Sequence, residues 1–107
     1  MTRIHIVDPA TATGEVRRHL ETARAQLGAV PNFIRVLANS AAALEGFLAL
    51  YGATAGLSLD KATQERIALT VAEGNGCDYC VSAHTAIGRH AGLSAEEMLQ
   101  NRRGTSG

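Results

Sequence analysis

Two cysteines and a histidine fall within one nine-residue stretch, Gly76-Cys77-Asp78-Tyr79-Cys80-Val81-Ser82-Ala83-His84, and these are the side chains of the chain best suited to chemistry. On a helix, at about 100° per residue, Cys77, Cys80, His84, Ile87, Gly88 and Ala91 occupy an arc of about 100°. Both sulfurs and the imidazole then share one face with small apolar residues. Cys80 and His84 stand at i, i+4, close enough for side-chain contact, and Cys77 and Cys80 at i, i+3, where a disulfide is geometrically possible. The same turn supplies activation. The first amide N–H groups of a helix are unpaired and carry partial positive charge, and a thiolate there is stabilised. A neighbouring imidazolium adds to this, and such settings lower a cysteine pKa from about 8.5 into the range of about 3.5–7.5. The spacing therefore reads as a reactive thiol with a resolving partner beside it.

Other readings of the same residues stay open. An inert, buried cysteine pair is one, since free cysteine often behaves as a small hydrophobe. A redox-sensing interaction module is another, and a zinc-binding one is the sharper rival: Cys77, Cys80 and His84 offer three ligands, with His5 or His90 as a fourth. However, structural zinc takes its C-x-x-C from a turn and needs tetrahedral positions, and His90 is six residues from His84, on another face. A c-type haem is excluded because Val81, and no histidine, follows the second cysteine. A thioredoxin fold is disfavoured because no strand–helix–strand pattern surrounds the motif.

Glu65 is the second position of interest. Ala62, Ala68, Leu69 and Ala72 stand at i−3, i+3, i+4 and i+7 from it, so this carboxylate lies in an apolar stripe. A carboxylate facing a core must be paired or protonated, which suits it to proton transfer. The alternative is a helix-edge glutamate paired in solvent with Lys61 at i−4. Tyr79 points away from the cysteine face by helical angle, and serves either as an auxiliary proton relay or as a core aromatic with a wet hydroxyl.

The elements that must position these groups are helical. Nineteen alanines and two prolines favour helix, and no stretch alternates with the period of a strand. Six helices and no sheet are expected. Val16, Leu20, Ala23 and Leu27 recur at helical spacing, with Gly28 placed to close the first helix. Pro31 suits the first turn of a short second helix through Leu37. Ser40 caps a third over Ala41 to about Ala53, and Ser58 a fourth to about Glu73. Gly74-Asn75-Gly76 interrupts the chain, and a fifth helix carries both cysteines to about Ala91. Ser94-Ala95-Glu96-Glu97 is a capping-box pattern that opens a sixth, with Met98 as a core candidate. Asn101 to Gly107, small and polar, is expected to fray.

At 107 residues the chain suits one domain, residues 1–107, with a single modest core. Ten basic and ten acidic side chains cancel, and no basic stripe or aromatic platform offers itself to polyanions, so nucleic acid is not an expected partner. The first nine residues lack an apolar signal region, and no apolar run approaches the roughly 18 residues of a membrane helix. A cytoplasmic location, with no membrane partner, is the expectation; there a C-x-x-C pair is more often catalytic or metal-binding than a staple. Apolar residues on more than one face, from Ile67 to Ala72 and at Phe47, Leu48, Leu50 and Tyr51, lead us to expect a homo-oligomer.

In several of these segments the chain resembles the AhpD-like, carboxymuconolactone decarboxylase superfamily. The likeness rests on Leu27-Gly28-Ala29-Val30-Pro31-Asn32, on Leu57-Ser58 and Glu65 ahead of an apolar helix, and on Asn75-Gly76-Cys77-Asp78-Tyr79-Cys80 with His84. Ala91-Gly92-Leu93-Ser94 completes it, and the similarity spans about residues 14 to 103. The resemblance implies an all-α, AhpD-like helical bundle assembled as a trimer or hexamer, with thiol-dependent peroxidase activity and no cofactor. It implies that Cys80 is the peroxide-reacting thiol, Cys77 the resolving thiol, and His84 and Glu65 the proton relay. An external dithiol or disulfide reductase then supplies electrons to a Cys77–Cys80 disulfide, and an organic hydroperoxide suits the apolar face. In AhpD a histidine directly precedes the second cysteine; Tyr79 stands there in this chain. Decarboxylase members generally lack the C-x-x-C pair, which leaves a lactone-acting lyase as the alternative within the superfamily. Relatives often continue past the cysteine helix, so the chain reads as a short member or a fragment.

Overall fold

Helix caps written into the sequence account for most of the architecture. The computed structural model describes residues 3–106; Met1, Thr2 and Gly107 lie outside the described residues. Among those described are six α-helices and no strand: α1 Gly14–Leu27, α2 Asn32–Leu37, α3 Ala41–Ala53, α4 Lys61–Gly74, α5 Asp78–His90 and α6 Ala95–Arg103. A single 3-10 turn, Thr54–Gly56, extends α3. The chain divides between Leu57 and Ser58 into two compact units. No helix among the described residues is long and apolar enough to cross a membrane.

The first unit is built on the periodic apolar residues of α1. Leu20 and Ala23 are buried with Val30, Ile34, Ala38, Leu44 and Leu48, and Val16 and Leu27 pack against that cluster. Gly28 closes α1 in the left-handed conformation, its N–H donating to the Arg24 carbonyl. Pro31 sits one position earlier than its usual place inside a helix. Its ψ of 164° is extended, and its carbonyl accepts the first bonds of α2, from the N–H groups of Ile34 and Arg35. Ser40 caps α3 as expected, its side chain accepting from the Ala43 N–H at 3.2 Å. Phe47 on α3 meets Phe33 edge-on, with centroids 5.6 Å apart, and stacks on Tyr51 at 6.0 Å.

The second unit holds α4, α5 and α6 around Leu69, Leu93 and Met98, with Ala62 packed against them. Here the cap of α4 differs from expectation. Asp60, and not Ser58, sits at the helix start, its Oδ1 accepting from the Thr63 N–H at 2.7 Å. That backbone bond, with the Thr63 side chain, holds the Asp60 carboxyl below its ordinary range. An anion meets the positive end of a helix better than a hydroxyl does, and Ser58 lies two residues too far upstream. The capping box of α6 is half made. Ser94 accepts from the Glu97 N–H at 3.1 Å, while the Glu97 carboxylate turns to Arg66 of α4 at 2.8 Å.

The fraying expected from Asn101 onward does not occur through Arg103. Helix α6 continues to that residue, and Gly104 ends it with N–H groups of Gly104 and Thr105 returning to the carbonyls of Asn101 and Gln100. Asn101 is only 1% exposed, and its backbone carbonyl accepts from the Thr70 hydroxyl at 2.9 Å. Burial against α4 outweighs polarity here, although neither Oδ1 nor Nδ2 of Asn101 finds a protein partner. Leaving such groups unpaired costs about 1–3 kcal/mol each. Replacement by the near-isosteric leucine, Asn101→Leu, is therefore expected to stabilise the protein by about 1 kcal/mol or more. Chemical denaturation of the two forms measures the difference, and an unchanged or lower midpoint would show that the amide is satisfied in solution.

Candidate functional site

The link between α4 and α5 is three residues long and places Cys77 from both sides. Gly76 adopts φ +66°, a conformation that a side chain disfavours, and so reverses the chain. The Gly76 N–H donates to the Glu73 carbonyl and the Cys77 N–H to the Ala72 carbonyl, each at 3.0 Å. These are the paired bonds of a Schellman ending, with Cys77 its last member. The same residue is the N-cap of α5, and its sulfur accepts from the Cys80 N–H at 3.2 Å. Cys77 thus stands just outside the helix and not within its first turn. The reason is that its amide is already committed to α4 and its ψ of 95° is extended.

Cys77 and Cys80 form a disulfide, with Cα atoms 5.2 Å apart, inside the ordinary range for such bonds. Both residues are partly buried. One turn beyond Cys80, His84 is 34% exposed on its side chain and places Nδ1 2.6 Å from Oε2 of Glu65. Glu65 is 3% exposed, in the buried stripe of α4 with Leu69 and Ala72. Its other oxygen, Oε1, lies 3.1 Å from Nζ of Lys61. The buried-stripe reading of Glu65 therefore holds and the solvent reading does not, although the Lys61 partner that the latter supplied is present. Accepting from Nδ1, a carboxylate leaves Nε2 as the free imidazole nitrogen.

Tyr79, the auxiliary candidate, is exposed at the start of α5. His90, considered as a zinc ligand, is exposed at the other end of the same helix. Among the described residues no group of three or more His, Cys, Asp or Glu side chains is arranged to hold a metal ion. The structure brings together Glu65 and His84, joins Cys77 to Cys80, keeps the Lys61 partner read from the sequence, and adds one residue whose part was not read there. It is Gly88, buried on α5, where an added Cβ would come within 2.9 Å of Met98 Sδ, 3.3 Å of Leu93 Cδ1 and 3.8 Å of Glu65 Cβ. A glycine inside a helix costs about 1 kcal/mol against alanine, and that mismatch was its signal in the sequence.

A model of the carboxymuconolactone decarboxylase family matches residues 41–104. No curated protein and no solved structure matches the chain.

Gly88 lies one turn beyond His84, so the approach it permits brings the imidazole to Glu65. Gly88→Val forces a branched side chain into Met98 and Leu93 and is expected to cost about 1–3 kcal/mol by overpacking. It is also expected to lengthen the Glu65–His84 contact. Thermal melts read the first effect, and the NMR signal of the His84 ring nitrogen the second; a variant unchanged in both would remove Gly88 from the site's architecture.

Proposed function

The chain belongs to the carboxymuconolactone decarboxylase family, and from that premise we propose that it is a thiol-dependent peroxidase. The supporting observation is that the Cys77–Cys80 disulfide opens the helix whose His84 is bound to a buried carboxylate. A reduced Cys80 thiolate attacks the terminal oxygen of an organic hydroperoxide. The O–O bond breaks, Cys80 becomes a sulfenic acid, and the departing alkoxide takes a proton from the His84–Glu65 pair to leave as an alcohol. Cys77 then attacks the Cys80 sulfur and displaces water, closing the disulfide. An external dithiol or disulfide reductase returns two electrons and two protons by thiol–disulfide exchange. Cys80 takes the peroxide because it alone lies one turn from His84. A lactone decarboxylase would make no use of the cysteine pair, and activity surviving replacement of both cysteines would favour that reading.

The same proposal includes self-association. Ile67 and Val71, one turn apart on α4, and Leu50 on α3 are large apolar side chains left exposed. Apolar surface of this kind is covered when copies assemble. Light scattering is expected to show a homo-oligomer; a well-folded monomer at micromolar concentration would refute it.

Single substitutions separate the roles. Cys77→Ser is expected to consume one equivalent of peroxide and to leave a trappable sulfenic acid on residue 80, while Cys80→Ser consumes almost none. Glu65→Gln, which keeps size but cannot titrate, is expected to slow consumption by about 10²- to 10⁴-fold. Stopped-flow thiol loss across a panel of hydroperoxides measures all three. Reaction of Cys80→Ser at the wild-type rate with an inert Cys77→Ser would exchange the two cysteines. Inertness of the wild type to every peroxide would end the peroxidase reading.

A further inference from the structure

A half-exposed lysine rarely matters to a fold, because an ion pair in water is worth little. Lys61 is 52% exposed on its side chain, yet the carboxylate it meets is 3% exposed. One partner stands in solvent and the other in the core. Glu65 has two oxygens to satisfy, and they are divided between two cations-in-waiting: Oε1 to Lys61 at 3.1 Å, Oε2 to His84 at 2.6 Å. Among the described contacts, the other groups beside the carboxylate add no further charge. On α5 the neighbour one turn past His84 is Gly88, and the part of α6 that closes on Gly88 is the thioether of Met98. Glu97 of α6 faces Arg66, whose guanidinium is taken up by Glu97 and by the Thr63 hydroxyl. Lys61 is thus the one further charged partner that Glu65 shows among the described contacts.

We infer that Lys61 is a positioning residue for the thiol centre: by holding Oε1 it fixes the buried carboxylate with Oε2 turned to His84, and so sets the imidazole with Nε2 as the nitrogen free to serve Cys80. The lysine touches no sulfur and acts only through Glu65. Its spacing makes this possible, since residues at i and i+4 lie on the same helix face. The inference rests on the thiol reading of the site, and it adds the residue that orients the relay.

The test uses the reduced full chain and needs no peroxide. Alkylation of Cys80 is followed against pH in the wild type, in Lys61→Met, which keeps the aliphatic stem, and in Lys61→Arg, which keeps the charge. The His84 ring nitrogens are read by NMR in each. Lys61→Met is expected to melt close to the wild type, to move the alkylation midpoint upward, and to lose the preference for hydrogen on Nδ1. Lys61→Arg is expected to restore both. If Lys61→Met does not fold, Lys61→Ala, which removes both the charge and the donor to Oε1, takes its place: a raised midpoint supports the inference and an unchanged one overturns it. Unchanged alkylation and unchanged ring signals in a folded Lys61→Met overturn it as well. A wild type inert to peroxides whose alkylation still responds to Lys61 removes the peroxidase reading and leaves the positioning role standing.

Discussion

A carboxylate withdrawn from water must be met at each of its oxygens, and at Glu65 the two demands are met from different directions. Burying an ion is expensive, and the expense is offset only where partners are close and well aimed. The small core of the second unit, Leu69, Leu93 and Met98 with Ala62, gives up one position of its central stripe to this group. Helix α5 must then come near enough for His84 to reach Oε2. Gly88 allows that approach, and the Leu93 side chain fills the space beside it. The packing of α4, α5 and α6 is arranged around a polar contact, with the apolar residues filling in behind it.

The division of labour between backbone and side chains explains why the cysteines sit where they do. Helix α4 ends by donating the amides of Gly76 and Cys77 back to its own carbonyls, and α5 begins by using the Cys77 sulfur as its cap. Ser, Thr, Asp or Asn would serve as a better cap. A cysteine at this position gives the helix a weaker acceptor at its start, and its sulfur is at the same time bonded to Cys80.

Much of this was legible in the sequence wherever a single residue settles a local question. Gly28, Ser40 and Ser94 mark the boundaries they were expected to mark, and α3 runs from Ala41 to Ala53 as read. The burial of Glu65 followed from its alanine and leucine neighbours at helical spacing. What was missed depended on competition or on distant packing. Ser58 and Asp60 are both good caps, and the charged one prevails. The polar look of Asn101 gave no hint that α4 would cover it. Lys61 and His84 each had a plausible claim on Glu65, and helical spacing alone could not show that one carboxylate serves both. Cys77 was placed one residue too deep in its helix, because the claim of Ala72 on its amide is invisible in a spacing argument.

The way Cys77 is held has a mechanical consequence. Its amide is tied to Ala72 and its sulfur takes the Cys80 amide, and the first of these bonds does not involve the sulfur–sulfur linkage at all. Opening the disulfide leaves the turn at Gly76 fastened to α4 by the same two backbone bonds. The pair is a switch without a lever in the backbone of this turn: neither of the two bonds that fasten it to α4 is made by the sulfur that changes state.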